Sequence, residues 1–356
     1  MKILYLYTEV MGYNLPIFDR LVSHYSATVD VFHWNENKLT PFVPEVAKGV
    51  TFHPRSKYSV SEMIAFATSL NPDVVYISGW QDKGYLSVVK QLKSLGIPIV
   101  AGLDSQWTGS LRQLIGAQLI RWVYKPRYFS YVWVPGPMQY EYAARIGFSK
   151  TEILSNLLSA NSAVFATAAA ERAQSFSSAN HSFLYVGRFA QAKGIDILIH
   201  AYRIYKDKYQ GTWTLTCVGN GPMLADLSQQ TDIKVEGFQT QKELSQMAKR
   251  AGAFILPSRY EPWGVVVHEF ASAGMPLILS ECVGARPQFL IDGANGYTFY
   301  SDSAEDLAHK MSLISTQSDE QLAAMGMVSA RLAGHITPDI AAASLMSVAS
   351  KERAHA

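Results

Sequence analysis

The sequence predicts an α/β protein built from two parallel sheets, each with helices on both faces. Three observations carry this reading. Short apolar runs bounded by turn residues recur along the chain, each about as long as a buried strand. Segments of helical periodicity separate many of them: Leu86, Val89, Leu92 and Leu95 repeat at three, and Ile195, Leu198, Ile199 and Tyr202 at three and four. Strands that alternate with helices imply parallel pairing, because a parallel crossover needs a helix-length connection. The length of 356 residues, against about 150 per domain, gives two domains. A mixed α+β protein is the alternative.

In chain order, strands are expected at 2–7, 27–32, 74–77, 98–101 and 131–134, and again at 183–186, 214–218, 253–256 and 277–279. Between the two groups, the small, polar stretch around 160–182 has weak patterning and reads as a linker with a short helix. The expected division is a first domain over 1–165, a linker over 166–182, a second domain over 183–335, and a C-terminal helix over 336–356 that packs back on the first domain. Open parallel sheets bind ligands outside the carboxyl ends of their strands. A cleft between the domains is therefore the default site, and chemistry is expected just after strands.

Composition excludes several classes. Thirty-one basic and 29 acidic residues leave a formal charge of +2, which argues against a nucleic-acid partner. Two cysteines, Cys217 and Cys282, cannot make a disulfide scaffold or a multi-cysteine zinc module. The N-terminal apolar run is too short for a signal core, and no stretch approaches the 18 or so uncharged apolar residues of a membrane span. A cytoplasmic protein is expected, either free or peripheral at the inner face of the membrane.

Three loops after strands carry the chemistry. The first, Gly187-Arg188-Phe189-Ala190-Gln191-Ala192-Lys193-Gly194, puts two cations beside a helix N-terminus. Free backbone N–H groups, the helix dipole and Arg188 and Lys193 together favour a diphosphate; two solvated loop cations are the alternative. The second, Gly219-Asn220-Gly221-Pro222, allows close approach of backbone to ligand, as any tight turn also would. A full dinucleotide fingerprint is missing, since Leu224 stands three after Gly221. The third, Pro257-Ser258-Arg259-Tyr260-Glu261-Pro262-Trp263-Gly264, opens a helix that ends near Gly274. There Val265 and Val266 offer N–H groups to a phosphate. Glu269, about a turn further, and Glu261, in the loop, offer carboxylates that each accept two hydroxyl donors, as a polyol requires.

These elements stand in an order that resembles the retaining glycosyltransferases of the GT-B fold, family 4, the glycogen-synthase-like and mannosyltransferase-like group. The set is Val186-Gly187-Arg188 with Lys193-Gly194, Val218-Gly219-Asn220-Gly221-Pro222, Glu236-Gly237-Phe238, Glu261-Pro262-Trp263-Gly264 through Glu269, Ala273-Gly274-Met275-Pro276, and Asp292-Gly293-Ala294-Asn295-Gly296. It covers about 183–300 densely and the first half by architecture alone. The resemblance implies two Rossmann-like domains facing across a cleft and transfer of a sugar from a nucleotide sugar, UDP before GDP. The acceptor would be a hydroxyl of a glycan or lipid-linked glycan, and anomeric configuration would be retained. It implies that Arg188 and Lys193 bind the diphosphate, Glu269 the ribose and Glu261 the transferred sugar, while Gly237 and Phe238 border the base. It also implies that neither a metal nor a cofactor is needed.

The chain departs from the family at Gly284-Ala285-Arg286-Pro287-Gln288, where Gln288 replaces a carboxylate, and at its first βα loop, where the glycine-rich turn is reduced to Gly12. The histidine that many members carry after an N-domain strand is absent. Asp104, after the strand at 98–101, is the nearest polar candidate to orient an acceptor; a turn or cap acid is the alternative. The segment 111–127 mixes apolar and aromatic residues with Arg112, Arg121, Lys125 and Arg127. Peripheral contact with anionic lipid and a core helix with snorkelling cations both account for it. A nucleotide-sugar epimerase and a non-catalytic glycan- or nucleotide-sugar-binding protein are the rival functions; a dehydrogenase lacks its fingerprint.

Overall fold

The computed structural model describes residues 1–34, 48–175 and 177–355. The chain forms two compact units, Met1–Ser159 with Ile336–Ala356, and Ala160–His335.

Among the described residues the first unit holds a seven-stranded sheet: β1 (Lys2–Leu6), β2 (Thr28–His33), β3 (Val50–Pro54), β4 (Val74–Ile77), β5 (Ile99–Gly102), β6 (Tyr131–Trp133) and β7 (Ile153–Leu154), in the order β3-β2-β1-β4-β5-β6-β7. Every pairing is parallel. Leu4, Leu6, Val75, Ile77, Ile99 and Val132 are buried in one core with Leu86, Val89 and Leu92 of the Lys83–Ser94 helix. This is why that helix repeats its apolar residues at three. Each such side chain contributes roughly 1.5–3 kcal/mol on burial. The last helix, Pro338–His355, packs on the Leu15–Tyr25 helix, where Arg20 and Asp339 form an ion pair, Nε to Oδ1 3.1 Å.

The second unit holds a six-stranded parallel sheet of β8 (Ser182–Val186), β9 (Thr214–Val218), β10 (Ile233–Glu236), β11 (Ala253–Leu256), β12 (Leu277–Ser280) and β13 (Gly296–Phe299), in the order β10-β9-β8-β11-β12-β13. In both sheets the strand order reverses beside the first strand, the doubly wound pattern.

The sequence reading found the inner strands and passed over β3, β7, β10 and β13. These are the strands at both edges of each sheet; β3, β10 and β13 are only partly buried and β7, though buried, is two residues long, so the apolar signal is thin. The stretch read as a linker over 166–182 is largely the Ser162–Ser175 helix, which packs on the Gln241–Arg250, Val265–Ser272 and Asp319–Ala333 helices. Its anchor is Arg172, 4% exposed. The guanidinium donates to the carbonyls of Gly274 at 3.1 Å, Ala248 at 2.7 Å and Gly252 at 3.1 Å, and also to that of Ala251. Burial pulls its pKa down to about 9. A weakly apolar helix thus holds its place by capping carbonyls that helix ends leave open.

The segment 111–127 is not a core helix. It runs as α-helix over Leu111–Leu119, a π turn over Ile120–Tyr124 and α-helix again over Lys125–Tyr128, and only Ala117 and Ile120 of its apolar side chains are buried. Among the described residues no helix is long and apolar enough to cross a membrane.

Candidate functional site

In the second unit the strand order switches between β8 and β11, so the crevice lies between the loops that follow them. Those loops are 187–194 and 257–264, two of the three singled out from sequence. They are tied by an ion pair: Lys193 Nζ lies 2.5 Å from Glu261 Oε2, and Ser258 Oγ reaches the same oxygen at 3.4 Å. Arg188 stands exposed at the mouth of its loop, held through its carbonyl by the Tyr185 hydroxyl at 2.9 Å. A second tie was not anticipated from sequence. Arg259 forks onto both oxygens of Asp196 at 2.7 Å, donates to Gln191 O at 2.6 Å and reaches Asp302 at 2.5 Å. These contacts hold Asp196 below the ordinary carboxylate value, Arg259 being the main cause. The only sequence signal for this fork was an arginine inside the third loop.

Backbone contacts fix the loops further. Gly194 takes a left-handed conformation, φ 69°, and a Cβ there would lie 2.0 Å from Pro257 O. A Cβ on Gly219 would lie 2.0 Å from Gly187 O, and one on Gly221 2.3 Å from Phe189 O, so the loop after β9 sits directly on the loop after β8. On the other side, Gly284 N–H donates to Glu261 O at 3.0 Å and Ala285 N–H to Trp263 O at 2.9 Å. Glu261 therefore stands on backbone fixed from both sides. The departure at 284–288 leaves this backbone role intact.

Gly264, φ 93°, turns the chain into the Val265–Ser272 helix. Val265 and Val266 occupy its first turn, partly exposed. Glu269 is one turn in, 8% exposed, and accepts from Gln241 Nε2 at 3.0 Å. Burial raises its pKa from 4.5 to about 7, opposed by the Gln241 bond. His268 points the other way. Its Nδ1 accepts from Ala160 N–H at 3.0 Å, its Nε2 lies 3.1 Å from Ala333 O, and its ring stacks on Phe289 at 4.6 Å. That pattern requires the proton on Nε2 and makes His268 a core residue. Gly237 and Phe238 follow β10; Gly237 has open space around it and Phe238 is 61% exposed.

The first unit has its own crevice at the matching switch between β1 and β4. A pocket of about 320 Å³ there is lined by Tyr7, Glu9, Tyr13, Tyr76, Ser78 and Asp104, among others. Gly12 lies in the turn between Met11 and Tyr13, both lining residues. Tyr7 and Tyr76 stack at 5.6 Å, and the Tyr7 hydroxyl accepts from Asn14 Nδ2 at 3.2 Å. Burial raises Tyr13 and Tyr76 well above the usual phenol value, so both are neutral hydroxyls. Although Asp104 as a residue is exposed, its carboxyl is desolvated by the pocket wall, which raises its pKa against hydrogen bonds from its own backbone and Ser105. Sequence reasoning reached Asp104 and Gly12 but missed the three tyrosines, which read as ordinary strand and turn residues. Among the described residues no three His, Cys, Asp or Glu side chains gather as a metal site.

The geometry can be set beside known proteins. Residues 168–327 match the family profile described as glycosyl transferases group 1. Glycogen synthase of Mycobacterium tuberculosis is 34% identical over 148 residues, which are 40% of this chain and 34% of that one. The chain thus spans about a third of the length of the curated relatives it matches. Over the whole chain, sucrose-phosphate synthase from Thermosynechococcus elongatus superposes with a TM-score of 0.75 at 17% identity, covering 100% of both chains. Anabaena HepE in complex with UDP and glucose gives 0.70 at 16%, again over 100% of both. The fold is therefore GT-B, two Rossmann-like parallel-sheet units.

Proposed function

We propose, from the match of residues 168–327 to the glycosyl transferases group 1 profile, that this chain transfers a sugar from a nucleotide diphosphate sugar to an acceptor hydroxyl, with retention at the anomeric carbon. The observation that carries this is the Lys193–Glu261 pair at the β8/β11 switch point, beside the free N–H groups of the Val265–Ser272 helix. It juxtaposes a cation and a helix N-terminus for a diphosphate with a carboxylate for a sugar.

In this reading Arg188, Lys193 and the N–H groups of Val265 and Val266 hold the diphosphate. Gly219 and Gly221 let backbone come close to it, and Gly264 sets the helix mouth. Glu269 accepts from the ribose hydroxyls, and Gly237 and Phe238 border the base. The relative solved with UDP favours a uridine donor, with guanosine next. Glu261 positions the sugar and stabilises positive charge that develops at its anomeric carbon. The bond from that carbon to the diphosphate breaks and one to the acceptor oxygen forms on the same face. The acceptor proton passes to the departing diphosphate, whose charge the two cations and the helix terminus offset without a metal. Asp104 and the tyrosines of the first pocket orient a glycan or lipid-linked glycan hydroxyl.

Thermal shift with UDP-, GDP- and ADP-sugars tests the donor assignment, since a ligand of the native state raises Tm by mass action. A UDP-sugar is expected to give the largest rise, and Arg188→Ala to lose most of it, with donor affinity about tenfold weaker. An unchanged shift in Arg188→Ala would place the diphosphate elsewhere. Epimerised donor formed with no acceptor present would assign an epimerase instead.

A further inference from the structure

The segment 111–128 of the first unit wears its amphipathicity inside out. At about 100° per residue, Leu111, Leu114, Ile115 and Leu119 share one face and Ala117 lies opposite. The structure buries the Ala117 side and turns the larger residues to solvent: Leu111 is 77% exposed, Ile115 71% and, within the π turn, Trp122 70%. A helix of a soluble unit normally does the reverse. Single exposed apolar residues need no explanation, but a contiguous stripe of this kind marks an interaction surface.

Charge identifies the occupant. No Asp or Glu stands between Asp104 and Glu141, whereas Arg112, Arg121, Lys125 and Arg127 do. Arg112, Arg121 and Arg127 are exposed beside the stripe. Arg121 lies over the Trp122 ring at 5.3 Å and Arg127 over Tyr128 at 5.5 Å. A cleft of about 540 Å³ beside them counts Lys93, Arg121, Trp122 and Lys125 among its walls; its one acid, Glu152, is paired to Lys125 at 2.7 Å. Apolar side chains flanked by arginines, with an indole among them, match an interface whose outer layer is anionic and whose inner layer is hydrocarbon. A second copy of the chain, docked by a two-fold axis, would set the arginines against each other. The geometry points to this face as the docking surface for an anionic phospholipid bilayer, with the helix lying in the interfacial plane.

The inference is independent of the sugar-transfer reading, and its failure leaves the donor thermal shift untouched. The test is flotation of the full chain with vesicles of phosphatidylcholine alone and of phosphatidylcholine containing about a third phosphatidylglycerol. Strong binding to the anionic vesicles is expected, about tenfold or more weaker to the neutral ones and on raising salt from about 0.1 M to about 0.5 M. The double variant Ile115→Ser, Trp122→Ser should lose about tenfold or more with an unchanged Tm, since both side chains are exposed. Arg112→Gln with Arg121→Gln should lose the preference for anionic vesicles. Equal binding to both vesicles, flotation of neither, or wild-type flotation of the serine variant would overturn the proposal. So would a concentration-dependent dimer in sedimentation that the serine variant abolishes, without flotation, which would assign the face to a second copy.

Discussion

The two sheets end in crevices of opposite character. At the carboxyl edge of the second sheet, charges and glycines crowd together: Lys193 with Glu261, Arg259 with Asp196, and Gly194 and Gly219 pressed against neighbouring carbonyls. At the same edge of the first sheet the walls, among the described residues, are mostly hydroxyls, Tyr7, Tyr13, Tyr76 and Ser78, with no cation and two carboxyls, Glu9 and the raised Asp104. The first arrangement suits a ligand common to many enzymes, a diphosphate, which needs charge and close backbone. The second suits a ligand that varies, an acceptor read by hydrogen bonds. Shared chemistry leaves a recurring pattern in sequence, whereas variable chemistry does not.

Three substitutions probe that contrast, in decreasing size of effect. Glu261→Gln keeps the volume and removes the charge that the proposed reaction sets beside the reacting carbon. Turnover is expected to fall about a hundredfold or more while donor affinity changes little; wild-type turnover would remove the catalytic assignment. Asp104→Asn should act only on the other crevice. It is expected to lower kcat/KM for the acceptor about tenfold to a hundredfold and leave the donor thermal shift alone. A lost donor shift would mean that the two crevices do not divide the substrates.

Glu269 gives the smallest effect and one with a sign. Its folded pKa, about 7, stands above the ordinary 4.5 because burial favours the neutral form. Stability from the neutral form is full below about pH 4 and declines as pH rises toward and through about 7. Glu269→Gln, neutral throughout, should therefore be more stable than wild type at about pH 8, by roughly 1–3 kcal/mol, and no different near pH 4. If Glu269 holds the ribose as proposed, the same variant should bind donor more weakly at about pH 8, where an ionised carboxylate can accept two hydroxyls. Chemical denaturation and donor titration at both pH values separate the two signs.

The sequence was most legible where local patterns sufficed. The inner strands of both sheets show as apolar runs because both faces are covered, and the loops after β8, β9 and β11 are marked by residue types with few structural uses. Edge strands such as β7, two residues long, leave no such mark. The fork of Arg259 onto Asp196 joins positions 63 apart, and Tyr7 meets Tyr76 only because β1 and β4 are neighbours in the sheet. His268 shows itself as a core residue only through the main-chain groups that occupy its two ring nitrogens, at positions 108 and 65 residues away. The Ser162–Ser175 helix hid behind a composition of small residues, its position set by a buried guanidinium and by Phe165, fully buried against Phe270.

The Lys193–Glu261 contact has an electrostatic corollary. Before a donor arrives, each partner neutralises the other, so the crevice presents less net field than its residues suggest. In the proposed reaction an incoming diphosphate would compete with Glu261 for the ammonium, and whatever share of Lys193 it won would leave the carboxylate less satisfied and more attractive to hydroxyls and to positive charge. Loading the site would thereby arm it, and the carboxylate would be muted whenever no activated sugar is there to be spent.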